Sequence, residues 1–162
     1  MVLAKKRVVL VLLVLATLSL ASPMAMVDAS KTTDDFYLKV YFTTLDIEWQ
    51  HNADNKVVIM HLTQGGIVKD GLNVELGKIT LNIIEVLNIE SLTGTVTAKY
   101  EIKYYSGEII KGTMTGKLQN AILQEVELDG KFVGHGDMHV KGEIYLIMEG
   151  GAQILVLDGY SW

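Results

Sequence analysis

Apolar residues recur at every second position from Phe36 onward. Phe36, Leu38, Val40 and Phe42 fall on one side of the chain, and Tyr37, Lys39, Tyr41 and Thr43 on the other. That is the period of a β-strand. At Thr43-Thr44 the phase slips and Leu45, Ile47 and Trp49 continue the apolar series in odd positions. One extra residue in a ladder produces such a slip, so a β-bulge or sharp bend is predicted there. The polar residues 51–55 turn the chain into a second strand over 57–62, which Gly65-Gly66 is expected to end.

The same reading continues to the end of the chain. Asp70-Gly71 predicts a tight turn between Ile67-Val68 and Leu72, Val74 and Leu76, and Gly77 predicts a break before a strand over 78–86. Residues 93–105 alternate Val96, Ala98, Tyr100, Ile102 and Tyr104 against threonines, lysines and Glu101, and Ser106-Gly107 closes a hairpin with 108–118. Strands are further expected over 121–128, turned by Asp129-Gly130, then over the long run 131–148, and finally over 153–157, ended by Asp158-Gly159. Residues 83–92 also fit a short helix, but their β-branched side chains favour strand. The reading is therefore all-β: one antiparallel meander of about eight to ten strands, closed into a barrel or folded over as a sandwich. Ile109-Ile110, Ile122-Leu123 and residues 154–157 are apolar on both faces, which predicts some strands covered on both sides and favours a sandwich or a covered barrel.

The beginning of the chain follows another pattern. Lys5, Lys6 and Arg7 precede an unbroken apolar run over 8–16, and small residues permit cleavage after Ala21 or after Ala29. This is the grammar of a secretory signal peptide. Residues 1–29 are taken as the signal, with cleavage after Ala29 preferred, and residues 30–162 as the all-β domain. An uncleaved anchor would need about 20 apolar residues, and Pro23 with Thr17, Ser19 and Ser22 weakens that alternative. The protein is thus expected to be secreted or to face outward on the cell envelope, touching a membrane only through the signal segment.

Charge narrows the partners. Beyond residue 29 the chain carries eleven lysines, no arginine and eighteen acidic residues, a net charge of −7. Such a surface lacks the forked cationic donors that grip phosphates, so nucleic acid is not an expected partner. The absence of cysteine excludes disulfides, thiolate chemistry and a lipid-modified cysteine anchor. None of the six asparagines after the signal stands in an Asn-x-Ser/Thr context.

Candidate chemistry is sparse. His135, Asp137 and His139 share one face if their segment is a strand, and they are the candidate binding residues. The two histidines would then lie ~13 Å apart, too far to ligate one metal, so no metal or cofactor is expected and zinc should bind no tighter than the micromolar range. A solvated face explains them as well, because Lys131, Lys141 and Glu143 continue the same side. His61 is flanked by apolar residues and His51 lies in a turn. No nucleophile elbow, phosphate loop or dinucleotide fingerprint occurs. Tyr37 with Tyr41 and Tyr100 with Tyr104 read as cross-strand packing pairs, and glycines 112, 116, 134, 136 and 142 as points of strand curvature or as room for an apolar ligand.

The function expected from these features is non-enzymatic: an extracellular β-protein that holds a small apolar ligand or binds a protein partner. One alternative is self-assembly, in which the proline-free segment 36–42 is donated to a neighbour's sheet. The other is a small barrel enzyme using His135 and Asp137, with or without His61.

Overall fold

The computed structural model describes residues 33–51, 57–120 and 126–162. The expected signal segment and its expected cleavage points lie outside the described residues, as does most of the strand expected over 121–128. Eight strands follow one another: β1 (Asp34–His51), β2 (Val57–Lys69), β3 (Glu75–Asn88), β4 (Thr93–Tyr104), β5 (Ile109–Gln119), β6 (Glu127–Gly136), β7 (Val140–Glu149) and β8 (Ala152–Ser161). Each pairs antiparallel with the next. β8 returns to β1 through pairs running from Asp34↔Ser161 to Val40↔Leu155, closing the sheet into a barrel. Residues 36–40 are therefore paired on one side with β8 and, from Lys39, on the other with β2. The ring is continuous through residues 39 and 40, while residues 34–38 pair with β8 alone and residues 41–51 with β2 alone.

The barrel settles the choice between barrel and sandwich. The expected bulge is present as a register shift between Phe42 and Thr44, and the Ser106-Gly107 hairpin joins β4 to β5. Residues 83–88 are strand, not helix.

Several glycine signals mark something other than turns. Gly65 and Gly66 lie inside β2, which runs to Lys69, and Gly77 lies inside β3. The turn at Asp70-Gly71 is a longer loop, in which Asp70 Oδ1 accepts hydrogen bonds from the backbone N–H of Leu72 and Val74 at 2.9 and 2.8 Å. Asp129-Gly130 and Asp158-Gly159 sit within β6 and β8. Conversely, the run expected as one strand over 131–148 is split by a bend at residues 137–139.

Close strand approach explains the glycines within β6 and β8. Across the ladders of β5 to β8, Gly112 faces Gly134, Gly116 faces Gly130, and Gly142 faces Gly159. A Cβ on Gly142 would stand 2.1 Å from the Asp158 carbonyl, and one on Gly112 would stand 2.0 Å from that of Val133. These strands approach so closely on the concave side that side chains are excluded.

Aromatic rings occupy the space the glycines leave. Tyr100 lies in register with the Gly112–Gly134 pair, and its ring and hydroxyl would collide with a Cβ on either. Phe36 and Phe132 flank the Gly142–Gly159 pair, and their ring centroids meet at 5.6 Å. Val40, Val68, Ile102, Ile110, Val140 and Leu157 are completely buried around them, each contributing about 1.5–3 kcal/mol of hydrophobic stabilisation. The Tyr100 hydroxyl is buried there without a hydrogen-bond partner, and burial pushes its pKa far above the usual phenol value. Leu76, Tyr104 and Met138 pack against this core at the end where β2 turns into β3. We call that end the base; the mouth is where β3 turns into β4 and β7 into β8.

The outer surface is mostly polar. β4 presents Thr93, Thr95, Thr97, Lys99, Glu101 and Lys103 outward, the reverse of the apolar band a lipid-facing barrel requires. β8 differs, since residues 154–157 are buried on both faces. Its outward Val156 stands between Tyr145 of β7 and Lys39 of β1. Nearby, Lys39 Nζ pairs with Glu149 Oε2 at 2.8 Å and reaches Asn73 Oδ1 at 3.2 Å, tying β1 to the end of β7 and to the 70–74 loop.

Candidate functional site: a cavity at the barrel mouth

An eight-stranded barrel has an interior just wide enough to be filled by side chains or to hold one small ligand. Here it does both. The three large rings, Tyr100, Phe36 and Phe132, crowd the basal half, where the glycine pairs accept them. Toward the mouth the inward positions carry smaller or unbranched side chains, among them Val96, Ala98, Met114 and Leu118, and these do not meet across the barrel. A cavity of about 250 Å³ remains. All eight strands contribute to its wall: Phe42, Gln64, Leu81, Ile83 and Leu87 on one side, and Leu128, Ile144, Leu146, Gln153 and Leu155 on the other, with Val126 at the rim.

Exposure rises along this axis. The three rings of the basal half, Tyr100, Phe36 and Phe132, are at most 6% exposed, whereas Phe42, Gln64, Glu85, Val96, Leu128 and Leu146 are only half-buried. The cavity therefore opens toward the mouth. Its wall is apolar but for three groups. Gln64 lies opposite Leu81. Gln153 donates through Nε2 to the Val126 carbonyl at 3.2 Å, linking β8 to the chain entering β6. Glu85 stands on the inward face between Met60 and Val96, and burial raises its carboxyl pKa above the ordinary value. That shift has a single cause, loss of water without a compensating partner.

The residues singled out from the sequence lie elsewhere. His135 is exposed on the outside of β6, opposite Lys111. Asp137 sits in the bend after β6, where its Oδ2 accepts the Ile109 N–H at 2.6 Å and its own N–H donates to the Ile109 carbonyl at 3.1 Å, fastening the start of β5. His139 exchanges backbone hydrogen bonds with Trp162 at 3.0 and 3.2 Å, and its ring stacks on the indole at 5.6 Å. Asp137 and His139 thus anchor backbone at the base, and neither they nor His135 line the cavity. His61 is exposed on the outside of β2, opposite Ile84. Among the described residues no group of three or more histidine, aspartate or glutamate side chains is arranged to hold a metal ion.

The sequence reading passed over Gln64, Glu85 and Gln153. A signal for Glu85 was present, because it occupies the phase of Leu81, Ile83 and Leu87 and so places a carboxylate on an otherwise apolar face.

No protein-family model matches this chain, and neither the curated proteins nor the solved structures yield a match. The site is therefore read from its own chemistry.

Proposed function

We propose that the protein is an exported, non-enzymatic carrier or receptor that holds a small, largely apolar molecule inside its barrel. The observation that carries this reading is the unfilled, apolar half of the interior, open at the mouth and closed at the base. Ligand sites have this character: concave, mostly apolar, with a few polar groups to orient the guest. The volume sets the size of the guest. A dry cavity of 150 Å³ accommodates benzene, so about 250 Å³ suits a molecule of about ten non-hydrogen atoms. Export is part of the proposal because residues 1–29 have the form of a signal peptide.

Native mass spectrometry of the protein recovered from cells expressing the full chain tests the reading. An added mass that disappears on organic extraction, and is rebuilt by a small apolar probe such as 1-octanol, is the expected result. Val96→Phe, which places a ring at the cavity wall, should abolish uptake while the circular dichroism spectrum stays unchanged. Failure of any apolar probe of this size to bind the extracted protein would refute it.

A further inference from the structure

Among the described residues Glu85 is the one charged side chain in the cavity wall. Among the described residues no hydrogen bond or ion pair engages it, although it is half-buried and flanked by Met60 and Val96. No lysine, arginine or histidine shares the described wall, so nothing there would welcome an anionic guest. The polar groups that do share it are neutral, and the amide of Gln153 already donates to Val126.

A carboxylate taken partly out of water and left unpaired is unfavourable, and a cation brought to it from outside would relieve that loss. A guest carboxylate would place a second negative charge beside the first, which is unfavourable in a site of low polarity. The remaining wall rewards only apolar contact.

We propose that the cavity selects small cationic amphiphiles: an apolar body of about eight carbons bearing an ammonium group, with the ammonium paired to Glu85 and the body seated against Ile83, Leu87 and the strands opposite. This inference rests on the reading of the barrel as a ligand holder.

Calorimetric titration at pH 7 with n-octylamine, 1-octanol and octanoate, three probes of nearly equal length, tests it on the protein purified from cells expressing the full chain. Octylamine should bind roughly tenfold or more tightly than octanol, the worth of one hydrogen bond to a charged group, and octanoate should bind weakest. In Glu85→Gln the preference for octylamine over octanol should vanish, and continued binding of octanol with an unaltered circular dichroism spectrum reports that the cavity is intact. Glu85→Leu carries the same expectation. Octanol binding as tightly as octylamine, or an amine preference that survives both substitutions, would overturn the selectivity while leaving the apolar ligand reading standing. Binding of none of the three would overturn both.

Discussion

Replacing Tyr100 by phenylalanine should stabilise the protein. The hydroxyl is buried on the inward face of β4 with no partner, and an unsatisfied buried polar group costs about 1–3 kcal/mol. Deleting it forfeits a few dispersion contacts at about 0.1–0.2 kcal/mol each. The net gain is about 1 kcal/mol, a rise of roughly 3–5 °C in Tm for a domain of this size. The register supplies a stronger form of the test. A Cβ on Gly134 would stand 2.2 Å from the Tyr100 oxygen, but 2.9 Å from the nearest atoms of Ile110 and Val140, both of which are side-chain methyl groups. Gly134→Ala should therefore cost about 1–3 kcal/mol by overpacking. In the double variant the worst contact is gone, so the two changes should fall short of additivity by about 1 kcal/mol in the direction of stability. Urea unfolding of the four proteins at constant m gives each term. Strict additivity, or a loss of stability in Tyr100→Phe alone, would show that the hydroxyl is engaged and that the ring is not seated over the glycines as described.

Phe132→Ala removes a ring that is 1% exposed and should cost about 3–5 kcal/mol, read as a fall in the urea midpoint. Glu101→Gln should leave Tm nearly unchanged: Lys103 and Lys111 hold the carboxyl at about 2, but the cluster lies on the outer surface, where such pairs contribute little. What contribution it makes is present above the ordinary carboxylate range and lost as pH falls toward that value. Glu85 has the opposite sign. Burial raises its pKa, so the folded state holds the proton more tightly than the unfolded chain, and stability falls as pH rises from the ordinary glutamate pKa through the raised one. Glu85→Leu should remove that slope and melt higher at neutral pH, a difference that closes on acidification; a lower Tm at neutral pH would contradict the assignment.

Alternation of apolar and polar residues was enough to foresee an antiparallel all-β domain and the bulge at Phe42–Thr44, because both depend on neighbours in the chain. Barrel closure depends on Asp34 meeting Ser161, a pairing between opposite ends of the domain that no local pattern encodes. The glycines show the same limit from another side. Asp129-Gly130 and Asp158-Gly159 look like turns, because an aspartate-glycine pair suits one. Their glycines are in fact needed where Gly116 and Gly142 come close across the ladder. For the site, the histidines that stand out in the sequence lie on the outside or at the base. The carboxylate that interrupts an apolar face within residues 81–87 was overlooked, since only curvature of the sheet reveals that this face encloses space.

The pairing of β1 with β8 also sets an order of events in the life of the chain. Contacts separated by more than a hundred residues are slow to form, and closing a loop of that length costs about 4 kcal/mol in chain entropy before any contact repays it. A nascent polypeptide still lacking residues 152–161 cannot complete the ring. It remains an open sheet with two reactive margins until the final strand arrives. Such delayed closure leaves the chain without its final shape until the last strand is in place. It also makes truncation at the carboxyl terminus far more damaging to folding yield than the loss of ten residues from a loop.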